Sequence, residues 1–556
     1  MLNFAHKIPI AMKYSLRTKL FGIGSLSLLA SHHQTIAQKT DPKSRPNILL
    51  ILADDMGYSD LGCFGSEIST PNLNRLASEG VQMTSFYNAS RCCPSRASLL
   101  TGLYQHEAGV GDMVNNLGTL AYEGYINHTS VTLAEALKSN GYDTYLSGKW
   151  HVGEAPENWP FHRGFDHAFG LIGGASSYFK LISYRVNQAP SRMALDDKLW
   201  TPPDTGFYMT NAIADYAVKF LDEEAPKPQP FFMYLAFTAP HWPLHALPQD
   251  ISKYRGKYMQ GWEFMRKQRF ERMKKLGILD QNAELSPVDP ESPKWETLSQ
   301  TEKEMWDLRM AVYAAMVDRL DQNVGKVLNK LRQMNELNNT LIIFISDNGG
   351  CHEQIKNRGN YIKTTAETGT PDSFDSYEYP WANVSNTPFR LYKHWEHEGG
   401  ISAPFIAWWP GKISHRIERT PGHIIDIMPT FLDAAKGTYP KEYNGNTITP
   451  EEGISLLPLL EGKKVARKSP LFWEHEGNKA VRDGKWKLVS KYDVKGKKFG
   501  PWELYDMDKD RSELNDLSSQ NPDKVKQLIA AWDVWANRVG VISKEEIDKK
   551  GIKGSE

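Results

Sequence analysis

Several short runs along the chain are apolar and β-branched at nearly every position and are then cut off by acids, glycines or prolines. Residues 47–53 form the first such run, and residues 142–146, 231–237 and 341–345 repeat the pattern. They lack the alternation of a strand with one wet face and read as strands buried on both sides, as in a parallel sheet. Between them lie stretches of helical period. Thr70-Pro71 opens one that Gly80 closes. Others cover residues 96–103, 131–137 and 211–221, and a long one covers residues 303–331, with an interruption expected near Asp321. Residues 351–390 show no period and read as a long loop. Alternating helices and buried strands predict an α/β fold: a mostly parallel central sheet with helices on both faces.

The pattern changes near Pro470. Residues 471–473, 480–489 and 502–505 read as antiparallel strands. The helix opened by Asn521-Pro522 carries Val525, Leu528, Ile529, Trp532 and Trp535 on one stripe. A smaller C-terminal antiparallel sheet with a packed helix is therefore expected. The resulting boundaries are 45–465 for the catalytic α/β domain, 466–545 for the C-terminal α+β subdomain, and 546–556 for a charged tail, read as frayed from Lys544.

The N-terminus has the order of a targeting signal. Lys13, Arg17 and Lys19 precede an apolar run over residues 20–30, and Thr35-Ile36-Ala37 offers a small-x-small cleavage site. Residues 1–37 are read as a signal peptide handled by the export machinery, which places the mature chain in the periplasm or outside the cell. No other stretch resembles a membrane span. The 556 residues contain 66 bases and 66 acids; losing the first 37 removes four bases and no acid. That balance excludes a general affinity for nucleic acid. Four cysteines are too few for a disulfide scaffold in an exported chain of this length, so the adjacent pair Cys92-Cys93 suggests chemistry.

Polar residues cluster just after the predicted strands, where open α/β sheets place their ligands. Asp54-Asp55 follows the first strand, Lys149 and His151 the second, His241 the third, and Asp347-Asn348 the fourth. Three carboxylates and an amide oxygen make an all-oxygen set, which suits a hard divalent cation, calcium better than zinc, with magnesium as the alternative.

Residues 92–102 read Cys-Cys-Pro-Ser-Arg-Ala-Ser-Leu-Leu-Thr-Gly. This segment resembles the signature of the formylglycine-dependent sulfatases, arylsulfatase-like members of the alkaline phosphatase superfamily. The resemblance extends from about Pro46 to Lys487 through Gly148-Lys149-Trp150-His151, His241, and Lys393 ahead of Glu398-Gly399-Gly400. It implies a sulfuric ester hydrolase in which Cys92 is oxidised to formylglycine (3-oxoalanine) by a formylglycine-generating or anaerobic sulfatase-maturing enzyme. The implied calcium ligands are Asp54, Asp55, Asp347, Asn348 and the modified Cys92. The implied catalytic set is Cys92, Arg96, Lys149, His151, His241 and Lys393.

The chemistry accords with that set. A hydrated aldehyde has two hydroxyls on one carbon. One can attack sulfur, and loss of the other's proton can expel sulfate by restoring the aldehyde. Arg96 returns toward residue 92, and Lys149 holds residue 92 and the sulfate. Asp347 is a candidate to take the proton of the attacking hydroxyl. His241 and Lys393 serve the leaving oxygen, and His151 serves the second step. The resemblance points to a sulfated polysaccharide or oligosaccharide, an algal glycan such as ulvan or carrageenan being favoured. A host glycosaminoglycan, a simple aryl sulfate, a phosphate or phosphonate ester, and glycan binding without turnover are the alternatives. Tyr377, Tyr379 and Trp381 are candidate sugar platforms, with His352, Glu353 and Arg390 as candidate readers of hydroxyls or a uronate.

Overall fold

A computed structural model describes residues 45–223, 229–357, 359–493 and 495–549. The expected signal peptide lies outside the described residues. Eleven strands form one twisted sheet. β1 (Asn47–Ala53) lies at its centre, paired in parallel with β7 (Phe231–Ala236) and β8 (Thr340–Ser346). Outward from β7 come β3 (Asp143–Gly148) and β4 (His167–Leu171), both parallel. The antiparallel β5 (Met193–Leu195) and β6 (Lys198–Trp200) follow. Outward from β8 come β9 (Ser402–Trp408) and β2 (Val81–Tyr87), each antiparallel to its inner neighbour. The short β10 (Arg416–Glu418) and β11 (Gly422–His423) pair with β2 in parallel.

The apolar runs owe their continuity to helices on both faces. In β1, Leu49 and Ile51 enter one core while Ile48, Leu50 and Leu52 enter the other. In β8, Ile342 and Phe344 oppose Leu341, Ile343 and Ile345 in the same way. The C-terminal strands Leu471–His475, Asn478–Asp483, Trp486–Ser490 and Glu503–Asp506 make an antiparallel sheet. The helix Pro522–Val539 lays Leu528, Trp532 and Trp535 on it.

Four local expectations need correction. The long helix runs unbroken from Gln300 to Gln333. Asp321 does not compete with its own helix. Its carboxylate instead accepts the backbone N–H groups of Asn72 and Leu73 at 3.0 and 2.8 Å, capping α1 (Pro71–Glu79), and Gly325 leaves room for this approach. The stretch 480–489 is two strands, turned at Gly484. Residues 351–390 contain the helix Glu378–Ser385. The tail does not fray at Lys544: residues Lys544–Lys549 are helical, and Ile547 packs with Leu117, Tyr122 and Ile542. Among the described residues no helix is long and apolar enough to cross a membrane. All four cysteines are free thiols, so packing and ion pairs hold the fold together.

Burial also sets an acid limit. His245 is fully buried, its Nε2 2.8 Å from the Ser373 carbonyl and its Nδ1 3.2 Å from Ser177 Oγ. Burial pushes it down to about 4 from 6.5. The native state therefore binds fewer protons than the unfolded chain within that window, and the stability present above it is lost as pH falls. At 1.36 kcal/mol per pH unit this group withdraws about 3 kcal/mol. Thermal midpoints should fall from pH 6.5 to 4, and His245→Gln should flatten the decline. Identical slopes in both proteins would contradict the account.

Candidate active site

The site is built where the central strands end. Ala53 and Ser346 stand opposite each other at the ends of β1 and β8, so Asp54-Asp55 and Asp347-Asn348 emerge side by side. The Asp347 N–H donates to the Ala53 carbonyl at 3.2 Å, and the Asp55 N–H to Asp347 Oδ1 at 3.2 Å. β3 delivers Lys149 and His151, and β7 leads to His241. Asp55 and His151 hold φ values of 68° and 58°, a strained region for residues with a Cβ. Gly174 has no Cβ to collide with the His151 ring; one added there would lie 2.6 Å from Cε1.

α2 runs Cys92–Thr101, starting four residues earlier than its sequence period suggests. Pro94 falls in the first turn, where no backbone N–H is needed, so it opens the helix rather than preceding it. Cys92 is thus the first helical residue, 2 % exposed, and Arg96 is fully buried beneath it. The Arg96 guanidinium is held in place: Nε and Nη2 donate to Asp347 Oδ2 at 3.1 and 2.8 Å, and Nη1 donates to the Lys149 carbonyl at 3.0 Å.

Each acid has its base. Lys149 Nζ donates to Asp54 Oδ2 at 2.7 Å. Lys393 Nζ donates to both oxygens of Asp55, at 2.8 and 3.0 Å, and lies 3.3 Å from His241 Nε2. The Asn348 amide donates to Asp55 Oδ1 at 2.7 Å. His241 Nδ1 donates to the Trp242 carbonyl at 2.6 Å, which fixes the ring with Nε2 facing Asp55 and Lys393. The structure therefore brings together all ten residues singled out from the sequence: Asp54, Asp55, Cys92, Arg96, Lys149, His151, His241, Asp347, Asn348 and Lys393. All are buried.

These contacts split the titration of otherwise similar groups. Burial pushes Asp54 up despite Lys149 and Arg96, and it pushes Asp347 up to about 7, with Asp54 adding to the effect. Asp55 also suffers burial, yet His241 and Lys393 hold it below the ordinary carboxylate range. Burial lowers His241 to about 4 and also depresses His151. The Cys92 thiol is pulled well down by a hydrogen bond from Cys93 and then, against burial, by Lys149, His151 and Lys393.

Two acceptor oxygens at the strand ends, Asp54 Oδ1 and Asn348 Oδ1, are buried without a hydrogen-bond donor. Such oxygens are costly to leave unmet. With Asp55 and Asp347 beside them they form an oxygen set that fits a hard divalent cation.

The fold and this set of residues define a hydrolase of sulfate esters: the chain belongs to the sulfatase family, whose profile matches residues 46–438. A second profile, N-sulphoglucosamine sulphohydrolase, C-terminal, matches residues 389–532. An uncharacterized sulfatase of Schizosaccharomyces pombe is 37% identical over 535 residues, 91% of this chain and 96% of the relative. An arylsulfatase of Klebsiella aerogenes is 35% identical over 447 residues, 77% and 95% of the two chains. The crystal structure of Ps i-CgsB in complex with k-i-k-neocarrahexaose superposes with a TM-score of 0.65. It is 26% identical and covers 88% of this chain and 93% of that one.

Around the pocket the sequence misled in places. Tyr377 and Trp381 are not sugar platforms. Tyr377 stacks on Tyr313 with ring centroids 4.3 Å apart, and Trp381 lies edge-on to Trp262, fully buried. Arg390 is tied to Glu503 and to the Tyr505 hydroxyl. Tyr379 packs on His352, 4.8 Å between centroids. Arg91 and Trp242 escaped the sequence reading, although each is the chain neighbour of a candidate catalytic residue.

Proposed function

We propose that the chain is an exported sulfatase that carries formylglycine at position 92 and one calcium ion and releases sulfate from a sulfated carbohydrate. The observation that carries this reading is the placement of Cys92. It heads a buried helix among Lys149, His151 and Lys393, beside the two unmet oxygens of Asp54 and Asn348. Asp54, Asp55, Asp347, Asn348 and residue 92 would hold the ion. When present, the hydrated aldehyde supplies a nucleophile that can release sulfate by reverting to a carbonyl, and the cation supplies positive charge beside it.

The chain's own residues do the rest. Asp54, Asp55 and Asp347 are offset by Lys149, Lys393 and Arg96. A dication therefore leaves the pocket positive, as a sulfate monoester requires. Lys149 holds the anion. Lys393, kept charged by Asp55, brings a proton to the bridging oxygen as its bond to sulfur breaks, and His241, with Nδ1 occupied and Nε2 3.3 Å from Lys393 Nζ, steers that ammonium toward the leaving group. His151, kept neutral by burial, is placed to accept the proton whose loss expels sulfate.

Export rests on the basic and apolar N-terminal segment, with a periplasmic or extracellular destination and a formylglycine-generating or sulfatase-maturing enzyme as partner. A carbohydrate substrate is supported by the oligosaccharide held by the similar Ps i-CgsB. An algal glycan such as ulvan or carrageenan is the favoured class. The test is sulfate release from nitrophenyl sulfate and from desalted sulfated oligosaccharides. Chelation should cost at least about tenfold in rate, and added calcium should restore it. Faster cleavage of nitrophenyl phosphate, or indifference to chelation, would overturn the reading.

A further inference from the structure

We infer that His394, His475 and Glu476 form a second cation site, one for zinc, that ties the segment carrying Lys393 to the first hairpin of the C-terminal sheet. The inference stands independently of the sulfatase reading. His394 follows Lys393 directly. His475 ends the strand Leu471–His475, and Glu476 stands in the turn that leads to Asn478–Asp483. One donor atom from each of the three lies within 4.8 Å of the other two. His394 Nδ1 is 2.7 Å from Glu476 Oε2, and His475 Nε2 is 3.8 Å from the same oxygen. Around a tetrahedral zinc ion, with bonds of about 2.0 Å, ligand atoms stand about 3.3 Å apart. The observed separations bracket that value, so small side-chain rotations bring the three donors onto one ion.

A histidine–glutamate contact alone is an ordinary ion pair. His475 is what sets this cluster apart. It is 0 % exposed, and neither of its ring nitrogens has a hydrogen-bond partner. Among the described residues it is the one fully buried histidine that bonds through neither nitrogen. Such burial is unfavourable, and a metal bond at Nε2 meets the stranded lone pair. The frame around the donors is fixed as a metal site requires. Asn478, fully buried, donates through Nδ2 to the carbonyls of both His394 and His475, at 3.2 and 3.1 Å. Both of its amide protons are thereby used, and its 3.3 Å approach to His394 Nε2 is a contact only. The His394 N–H donates to the Ser90 carbonyl at 2.8 Å. The side chains of His394 and Glu476 are 14 and 10 % exposed, which leaves the ion a way in.

Two imidazoles and a carboxylate suit zinc and not calcium, which takes oxygen, and three protein ligands leave the fourth position to water. The surrounding charge admits a dication. Arg91 and Lys544 both act on Glu476, but each is answered, Arg91 by Glu353 at 3.1 Å and Lys544 by Asp548 at 3.3 Å. Lys393 is answered by Asp55 at 2.8 Å. Asp112 acts on Glu476, and Glu474, set against His106, acts on His475. With the two ligand imidazoles neutral, a negative surplus remains even when His106 carries a charge.

The test uses the untagged full chain carrying Cys92→Ala and saturated with calcium, so that neither the Cys92, Cys93 and His151 group nor the Asp54 and Asp55 set competes for zinc. Equilibrium dialysis should find one zinc ion per chain, and zinc should raise the thermal midpoint. His394→Ala and Glu476→Gln should each weaken zinc binding by about a hundredfold or more and abolish the thermal shift. If His394→Ala fails to fold, His394→Gln carries the comparison. A parent chain that holds no zinc, or variants that hold it as tightly as the parent, as an adventitious surface ion would be held, overturns the site. Sulfate release by the chain with Cys92 intact is read separately, so either outcome leaves the sulfatase reading standing.

Discussion

Replacing Cys92 by alanine is expected to cut sulfate release by about four orders of magnitude or more, with thermal stability close to that of the parent chain. The side chain is small and lies at a helix start, so its loss leaves little cavity; the chemistry, however, has no substitute nucleophile. Cys93 points to a different role. Burial and the neighbouring thiol hold it well above the ordinary cysteine range, protonated and passive. Cys92→Ser makes a sharper test. A single hydroxyl can still attack sulfur, but it cannot then revert to a carbonyl, so one turnover should leave a sulfated protein. Mass spectrometry of the tryptic peptide should show residue 92 of the active enzyme as an aldehyde in place of its CH₂SH group. A fully active protein with an intact thiol, or an alanine variant at full rate, would end the formylglycine reading.

The second large effect concerns the leaving oxygen. A sugar alkoxide is a strong base and needs a proton as it departs, whereas nitrophenolate leaves largely unaided. His241→Asn and Lys393→Ala should therefore lower kcat/KM on a sulfated sugar by about 10²–10⁴, and on nitrophenyl sulfate by about tenfold or less. Lys393→Ala also strips Asp55 of its main counter-charge, so calcium content must be measured beside the rate. His241 also helps to hold Asp55 ionised, so the same measurement accompanies His241→Asn. Equal losses on both esters would show that neither residue serves the leaving group.

Much of this was legible in the sequence because strand ends announce themselves. A run of buried aliphatics that stops at Asp54-Asp55 or Asp347-Asn348 fixes where those carboxylates emerge, and adjacent parallel strands make distant segments neighbours. What stayed hidden was direction. Nothing in the order of residues distinguishes a tryptophan facing a pocket from Trp381 facing two other indole rings, or a free Arg390 from one already claimed by Glu503. Asp321 misled for the same reason. Its role as a helix breaker or as a cap on a neighbouring helix depends on a partner 248 residues away. Arg91 carries no signal of its own in the sequence, because its pairing with Glu353 spans 262 positions.

The short segment just past Lys393 is anchored from far down the chain. Glu398, fully buried and held down to about 2 against burial by Lys487 and Arg511, receives Lys487 Nζ at 3.0 Å and Arg511 Nη2 at 2.7 Å. Glu513 accepts its backbone N–H and shares Lys487. Cloning only the portion before residue 466 would discard every one of these partners and abandon an acid inside the interior. Such a shortened gene product should emerge insoluble or inert, which makes the final ninety or so residues obligatory for anyone seeking a minimal catalyst.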